Sequence, residues 1–375
     1  MKVLITGAAG FIGKNLQLHL AERKDVQVVR FTRSSDSGQL PGLLQGVDFV
    51  CHLAGVNRPQ APDEFLRGNV DLTQALCNEI AAVAVSTGKK VPVIYTSSIQ
   101  ADRDNAYGTS KLGAENALFA LQRDYAVPVH VFRLPNVFGK WCKPNYNSAV
   151  GTFCHNIARD LPIQVNDLAA PITLVYVDDV IARFLQLLDG ADAALDANGF
   201  ATVTPQYSTT VGELARLVQA FKDSRNTLMT ERVGTGLVRA LYSTYVSYLP
   251  PELFTYTVPQ YADPRGVFAE MLKTPDCGQF SYFTAHPGIT RGGHYHHSKT
   301  EKFLVIKGQA RFKFRHMQTG ETHELSTSGD KAEVVETVPG WTHDITNIGT
   351  NEMVVMLWAN EVFDREKPDT FACAV

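Results

Sequence analysis

The chain has no cysteine pairing pattern. Its six cysteines (Cys51, Cys77, Cys142, Cys154, Cys277 and Cys373) are scattered singly along 375 residues with no CxxC. That excludes a disulfide framework or zinc knuckle and predicts free thiols in a reducing compartment. Charge of one sign is also missing, since the formal net charge is -3. No basic stripe points to nucleic acid, and no acidic block points to disorder. No apolar run reaches the roughly 18 residues of a membrane span. The opening MKVLITG runs into a strand without the basic start, long apolar core and cleavage region of a secretory leader. A cytoplasmic protein with neither nucleic-acid nor membrane partners is the expectation.

At 375 residues with 45% apolar composition, the chain is long enough for two or three hydrophobic cores. Val3 to Thr6 reads as a strand, then Gly7, Gly10, Phe11, Ile12 and Gly13 as a tight turn, then Asn15 to Ala21 as a helix. Strand, glycine turn and helix in that order are the context a dinucleotide fingerprint needs. Gly7 permits the turn, Gly10 lets backbone approach a pyrophosphate, and Gly13 permits close helix packing, with the helix N-terminus facing phosphates. After the second strand, Val26 to Phe31, the charges are Arg30 and Arg33, where an NAD site commonly shows a carboxylate. NADPH is therefore favoured, with Arg33 the better partner for a 2'-phosphate. A third strand, Val47 to Leu53, brings Ala54 and Gly55 to the cofactor. Asn69, just before a helix over Leu72 to Val85, is a cap or cofactor-loop anchor. Val91 to Tyr95 and Val129 to Leu134 add strands, so an open parallel α/β sheet covered on both faces is predicted.

Tyr107 and Lys111 stand four apart on a predicted helix and share one face. An ammonium beside the phenol would lower the tyrosine pKa and could hold a ribose hydroxyl. Ser98, at a strand end, could hydrogen-bond a substrate carbonyl while Tyr107 protonates it, and neighbouring Ser97 is the alternative hydroxyl. Arg133 and Asn136 lie at the carboxyl end of the strand over Val129 to Leu134, where such sheets bind ligands, and are candidate uridine diphosphate contacts. Asp178 and Asp179 carry no metal-ligand spacing and read as caps. Tyr242, Tyr245 and Tyr248 read as core. Pro250 and Pro251 mark a boundary, dividing residues 1–248 from 252–375.

Beyond the prolines the chain turns to short β-rich segments, which predict a small barrel. At its centre is GITRGGHYHHSKTEKFLVIKG, from Gly288 to Gly308. Side chains two apart on extended backbone point the same way, so His294 and His296 converge while His297 faces the other side. With Glu301 and, downstream, His343, they form a donor set suited to a divalent metal, zinc foremost, with iron, nickel or manganese also able to fit.

The first half resembles the extended short-chain dehydrogenase/reductase (SDR) family in Gly7 to Gly13, Val50 to Gly55, Thr96 to Ser98, Tyr107 to Lys111, Arg133 to Gly139 and Tyr176 to Val180. That resemblance implies a Rossmann fold, a catalytic trio of Ser98, Tyr107 and Lys111, and a nucleotide-sugar site near Asn136. The second half resembles cupins, through Gly288, His294, His296, Glu301 and Gly308 and through Pro339, Gly340, His343 and Asn347. It also resembles the sugar-nucleotide 3,5-epimerases built on cupin barrels, through Asp263 to Glu270 and Arg291 to His296. That likeness implies that Arg265 and Arg291 contact diphosphate and that the histidine after the arginine removes a proton beside a ketone. Here it falls on His294, already a candidate ligand, so Tyr295, His297, Lys299 or a metal-bound water stands as the alternative proton carrier.

An SDR joined to a cupin resembles the bifunctional capsule and lipopolysaccharide sugar enzymes of the CapF or WbjC type. The implied substrate is a UDP-linked 4-keto-6-deoxy amino sugar. The cupin would epimerise C-3, and the SDR domain would reduce C-4 with NADPH. A homodimer and bound zinc are also implied. The alternative is a single-function SDR enzyme with a structural or regulatory metal-binding cupin.

Overall fold

The computed structural model describes residues 1–61, 63–263, 266–269, 272, 274, 278–361 and 366–375, without the side chains of 260–263, 266–269, 279 and 281. Arg265 and Cys277 lie outside the described residues. Two compact units are present, Met1–Val137 with Thr173–Ser208, and Phe138–Ile172 with Thr209–Val375.

The first unit is built on five parallel strands, β1 (Lys2–Thr6), β2 (Gln27–Phe31), β3 (Phe49–His52), β4 (Val93–Ser98) and β5 (Val129–Leu134), in the order β2-β1-β3-β4-β5. Strands β3 and β4 are buried along their whole length, as continuous runs such as FVCH and VIYTSS require in a sheet covered on both faces. On one face, Leu76 and Ile80 of the helix Leu72–Thr87 and Leu118 and Leu121 of the helix Ala106–Tyr125 share a core with Val50, Val93 and Val131. The carboxyl ends of β1, β3 and β4 therefore open on one edge, where the glycine turn, Ala54 and Ser98 all emerge. This is the Rossmann arrangement expected of an SDR.

The second unit combines the helices Ala149–Ile157, Val211–Thr227 and Gly236–Ser247 with two five-stranded antiparallel sheets. One sheet runs Gln279–Ala285, Met353–Ala359, Glu301–Lys307, Glu333–Glu336, Thr255–Thr257. The other runs Thr322–Ser328, Gln309–His316, Trp341–Asn347, Thr290–Tyr295, Phe371–Ala372. Phe303 of the first meets Phe312 of the second with ring centroids 5.7 Å apart, so the sheets share a core in a cupin-like fold. Tyr242 and Tyr245 are buried, the core role their spacing suggests.

These units divide the chain elsewhere than at the two prolines, for a physical reason. Arg225, on the helix Val211–Thr227, donates to Glu336 at 2.8 Å, and Glu336 pairs with buried Lys302 on a neighbouring strand. Tyr256 accepts from Lys302 Nζ at 3.0 Å. Burial works against both charges of the Lys302–Glu336 pair. Even so, their mutual attraction holds the lysine pKa above its ordinary value and the carboxyl below its own. Breaking such a buried pair on one side is strongly destabilising, so these contacts tie the helix Val211–Thr227 to the sheet.

Candidate active site

The glycine turn is packed backbone against backbone. Gly7 has φ of +66°, and a Cβ there would lie 2.6 Å from the Ala54 nitrogen; at Gly13 it would lie 2.4 Å from the Gly7 oxygen. No side chain caps the helix Phe11–Ala21 that follows. The turn therefore offers bare backbone and a helix N-terminus, a cradle that fits a pyrophosphate. Beneath it runs a buried chain of hydrogen bonds. The Ala54 N–H donates to Thr6 Oγ1 at 3.2 Å, Thr6 meets His52 Nδ1 at 2.6 Å, His52 Nε2 meets Thr73 Oγ1 at 2.7 Å, and Thr73 donates to the Asn69 carbonyl at 2.6 Å. Thr73 spends its only proton on Asn69, so His52 must donate from Nε2 and accept from Thr6 at Nδ1. Burial, then the Lys111 charge, push its pKa down to about 3, which keeps this neutral tautomer. Asn69 is a loop anchor and not a cap. Its side chain accepts from Val56 N at 2.6 Å and donates to Ser110 Oγ at 2.8 Å. Arg33 is exposed just beyond the end of β2.

Asn105 caps the helix Ala106–Tyr125 through Gly108 N at 2.9 Å, which sets Tyr107 in the first turn at the end of β4. Burial raises the Tyr107 pKa, and a hydrogen bond with Ser98 pulls the other way. Ser97 instead donates to Glu115. Of the two adjacent serines, the structure thus pairs Ser98 with Tyr107. Lys111 differs from expectation. Its Nζ donates to the Thr96 carbonyl at 3.0 Å and reaches the Tyr95 hydroxyl at 3.5 Å, so burial, opposed by Glu115, draws its own pKa down to about 8. A Cβ built on Gly55 would lie 3.1 Å from that Nζ, so the ammonium faces the Ala54–Gly55 loop.

Arg133 is committed to carboxylates. Its guanidinium donates to Glu115 at 2.7 and 3.0 Å and to Asp102 at 2.6 Å, and it stacks 4.0 Å from the Phe200 ring centre. Asn136 is exposed and donates to the Thr173 carbonyl at 3.0 Å.

In the second unit, the register places His294 opposite His343 on adjacent strands, with a bulge between Gly292 and His294. Strand pairing brings His343 to the three donors that lie close together in the chain. One ligand atom from each of His294, His296, Glu301 and His343 lies within 4.8 Å of all the others. Burial, then His343 and His296, push the His294 pKa down to about 3, and burial lowers that of His343. Although burial opposes it, His296 holds the Glu301 carboxyl well below the usual range. The buried His343 Nε2 is 3.6 Å from Glu301 Oε2, beyond hydrogen-bond reach. An ionised carboxylate beside His294 and His343, both held toward the neutral form, with the buried His343 Nε2 left over, fits a divalent cation.

The proposed proton carriers divide. Lys299 Nζ is 3.0 Å from Glu301 Oε1 and 3.3 Å from Thr370 Oγ1, beside the ligand group. Tyr295 and His297 pack with Phe371, at ring distances of 5.6 and 4.9 Å, on the other side of the strand. Arg291 is exposed and donates to the Thr284 carbonyl at 3.1 Å. A Cβ at Gly340, whose φ is +82°, would lie 2.8 Å from the Trp141 ring, which accounts for glycine at that point of the second histidine motif.

Residues 3–198 match the NAD dependent epimerase/dehydratase family, and residues 261–371 match the polysaccharide biosynthesis C-terminal domain. The UDP-2-acetamido-2,6-beta-L-arabino-hexul-4-ose reductase of Pseudomonas aeruginosa is 63% identical over 375 residues, covering 100% of this chain and 99% of that protein. The crystal structure of the capsular polysaccharide assembling protein CapF from Staphylococcus aureus is 43% identical with a TM-score of 0.67, covering 100% of both chains. The chain belongs to the CapF-type family. A second CapF crystal structure, with the inhibitor 3-isopropenyl-tropolone, is 39% identical with a TM-score of 0.62 and again covers 100% of both chains.

Within this CapF-type chain, several residues of the site escaped the sequence reading. Glu115 lies four residues after Lys111 on the helix and binds Ser97 and Arg133, a spacing that could have exposed it. His52 sits inside the strand motif already singled out, but only the fold reveals its partners. No helix among the described residues is long and apolar enough to cross a membrane.

Proposed function

We propose that this chain epimerises C-3 of a UDP-2-acetamido-2,6-dideoxy-4-hexulose at the His294, His296, Glu301 and His343 group. It then reduces the C-4 ketone with NADPH at Ser98, Tyr107 and Lys111. The product is UDP-2-acetamido-2,6-dideoxy-L-talose, a precursor of N-acetyl-L-fucosamine. The observation that carries this reading is the coexistence in one chain of a Ser98–Tyr107 pair beside a dinucleotide cradle and a buried His/Glu cation group. The P. aeruginosa reductase, similar over its whole length, supports the sugar assignment.

The order follows from carbonyl chemistry. A 4-ketone acidifies the C-3 proton, and reducing that ketone removes the acidity and preserves the new configuration. Gly7, Gly10, Gly13 and Asn69 would hold NADPH, with Arg33 toward its 2'-phosphate, and the bound cofactor would supply a hydride for C-4. Ser98, hydrogen-bonded to Tyr107, orients the substrate carbonyl, and Tyr107 gives its phenol proton to the C-4 oxygen. Lys111 adds positive charge under the loop at Gly55. In the other site, His294, His296, Glu301 and His343 would hold a divalent ion, zinc by this donor set, which would supply Lewis acidity toward a carbonyl. Tropolones as a class chelate divalent metals, so the inhibitor bound by a relative agrees with this reading. Lys299, beside Glu301, is placed to carry the C-3 proton. Asn136, Arg265 and Arg291 are the proposed diphosphate contacts. The functional division lies between residues 1–248 and 252–375, and the protein acts as a cytoplasmic homodimer.

The test is deuterium incorporation at C-3 when the hexulose is incubated with the protein in heavy water without NADPH. Exchange is expected in the wild type and in Tyr107→Phe, and is lost in His294→Ala or His296→Ala. No exchange by the metal-loaded wild type on intact substrate would overturn the epimerase half.

A further inference from the structure

Asp369 is not a candidate ligand, yet it gathers the segment that joins His296 to Glu301. Its Oδ1 accepts from the His297 N–H at 2.8 Å. Its Oδ2 accepts from the Ser298 and Lys299 N–H groups, both at 2.7 Å, and from Ser298 Oγ at 2.9 Å. Three successive backbone donors thus converge on one carboxylate, the concave arrangement that favours an anion. The main-chain oxygen of the same residue lies 2.5 Å from His296 Nδ1. A carbonyl can only accept, so Nδ1 carries a proton there, and the ring is turned so that Nε2 faces the Glu301 carboxylate, 3.1 Å away.

The residues that follow hold Asp369 in place. Phe371 pairs with Tyr295 and Ala372 with His294. The Cys373 N–H donates to the Gly293 carbonyl at 2.8 Å, and Thr342 Oγ1 donates to the Cys373 carbonyl at 2.5 Å. Residues 369–373 therefore flank the strand bearing His294, reach His296 just past its end, and also touch the strand bearing His343.

We propose that Asp369 is the positioning residue of the metal centre. One oxygen sets the tautomer and orientation of His296, and the carboxylate fixes the turn that delivers Glu301. The inference rests on reading the four-residue group as a metal centre. Outer partners of this kind change metal affinity by about 10- to 100-fold when removed, because the ligand then spends binding energy on its own ordering.

The experiment is competition for zinc between the whole chain and a chelating dye, with the circular dichroism and thermal midpoint of each metal-free variant recorded alongside. Asp369→Ala is expected to bind zinc about 10- to 100-fold more weakly while the metal-free fold persists. Asp369→Asn, which keeps one side-chain acceptor, is expected to lose less, and it carries the test if the alanine variant does not fold. Arg315→Met removes a contact to the Ala374 carbonyl, loosening the same segment away from Asp369, and is expected to keep wild-type affinity. Wild-type affinity in both Asp369 variants, or an equal loss in Arg315→Met, would overturn the assignment. A wild-type chain that takes up no zinc would instead overturn the metal-centre reading and Asp369's role with it.

Discussion

Glu115→Ala is the perturbation whose size the structure fixes best. The Glu115 side chain is 1% exposed and that of Arg133 16%, so the pair sits almost out of water. Removing the carboxylate leaves Arg133 without two acceptors and Ser97 without its partner. Breaking a buried pair on one side costs about 3–5 kcal/mol. Arg133 keeps Asp102 and the Phe200 face, but the Asp102 side chain is 72% exposed, so that contact is a surface pair contributing about 1 kcal/mol at most. The lower end of the range, about 3 kcal/mol, is therefore expected. For a unit of this size, that moves the thermal midpoint by roughly 6 to 12 °C. The assay is urea and thermal unfolding of the whole chain, following the transition that added dinucleotide displaces. A cycle with Arg133→Met separates the orphaned charge from the vacated volume. The double variant should recover part of the loss, since no unpaired guanidinium remains. A loss below about 1 kcal/mol, or strictly additive variants, would refute the account of a buried, coupled pair.

Two further outcomes follow from the same first unit. Tyr107→Phe should lower kcat for NADPH oxidation by about 10²- to 10⁴-fold with little change in KM, since only the proton transfer is lost; a full rate in that variant would move the general acid elsewhere. His52 is held at a pKa of about 3 against an ordinary 6.5. Below pH 6.5 the unfolded chain takes up a proton that the folded chain refuses. Stability should therefore fall with pH toward about 3, by up to about 1.4 kcal/mol per pH unit. Urea midpoints at pH 7 and 5 should show a smaller difference in His52→Gln, and an unchanged difference would deny His52 that part.

Several features were legible in the sequence because they are local. The glycine turn needs only a few consecutive residues without side chains, and the Tyr107–Lys111 spacing is a helix repeat. The pair His294 and His296 is a strand repeat, which also turned Tyr295 and His297 to the opposite side. The family resemblance covered the whole chain for the same reason, since it rests on contiguous motifs. The strand Thr322–Ser328 was not legible, because its alternation is among polar residues and carries no apolar signal.

Tertiary structure decided what depends on partners distant along the chain. Ser98 was separated from Ser97 by Glu115, seventeen residues after Ser98 in a different element. Arg133 was withdrawn from the list of free cations by the same carboxylate. Lys111 found its acceptor in the Thr96 carbonyl of β4, fifteen residues back in the chain. His343 joined His294 through the register of two strands, and Asp369 reached His296 from 73 residues away. A spacing rule can state which side chains share a face. Only the folded chain shows which acceptor each donor finds once water has been excluded, and in a buried site that choice sets both charge and direction.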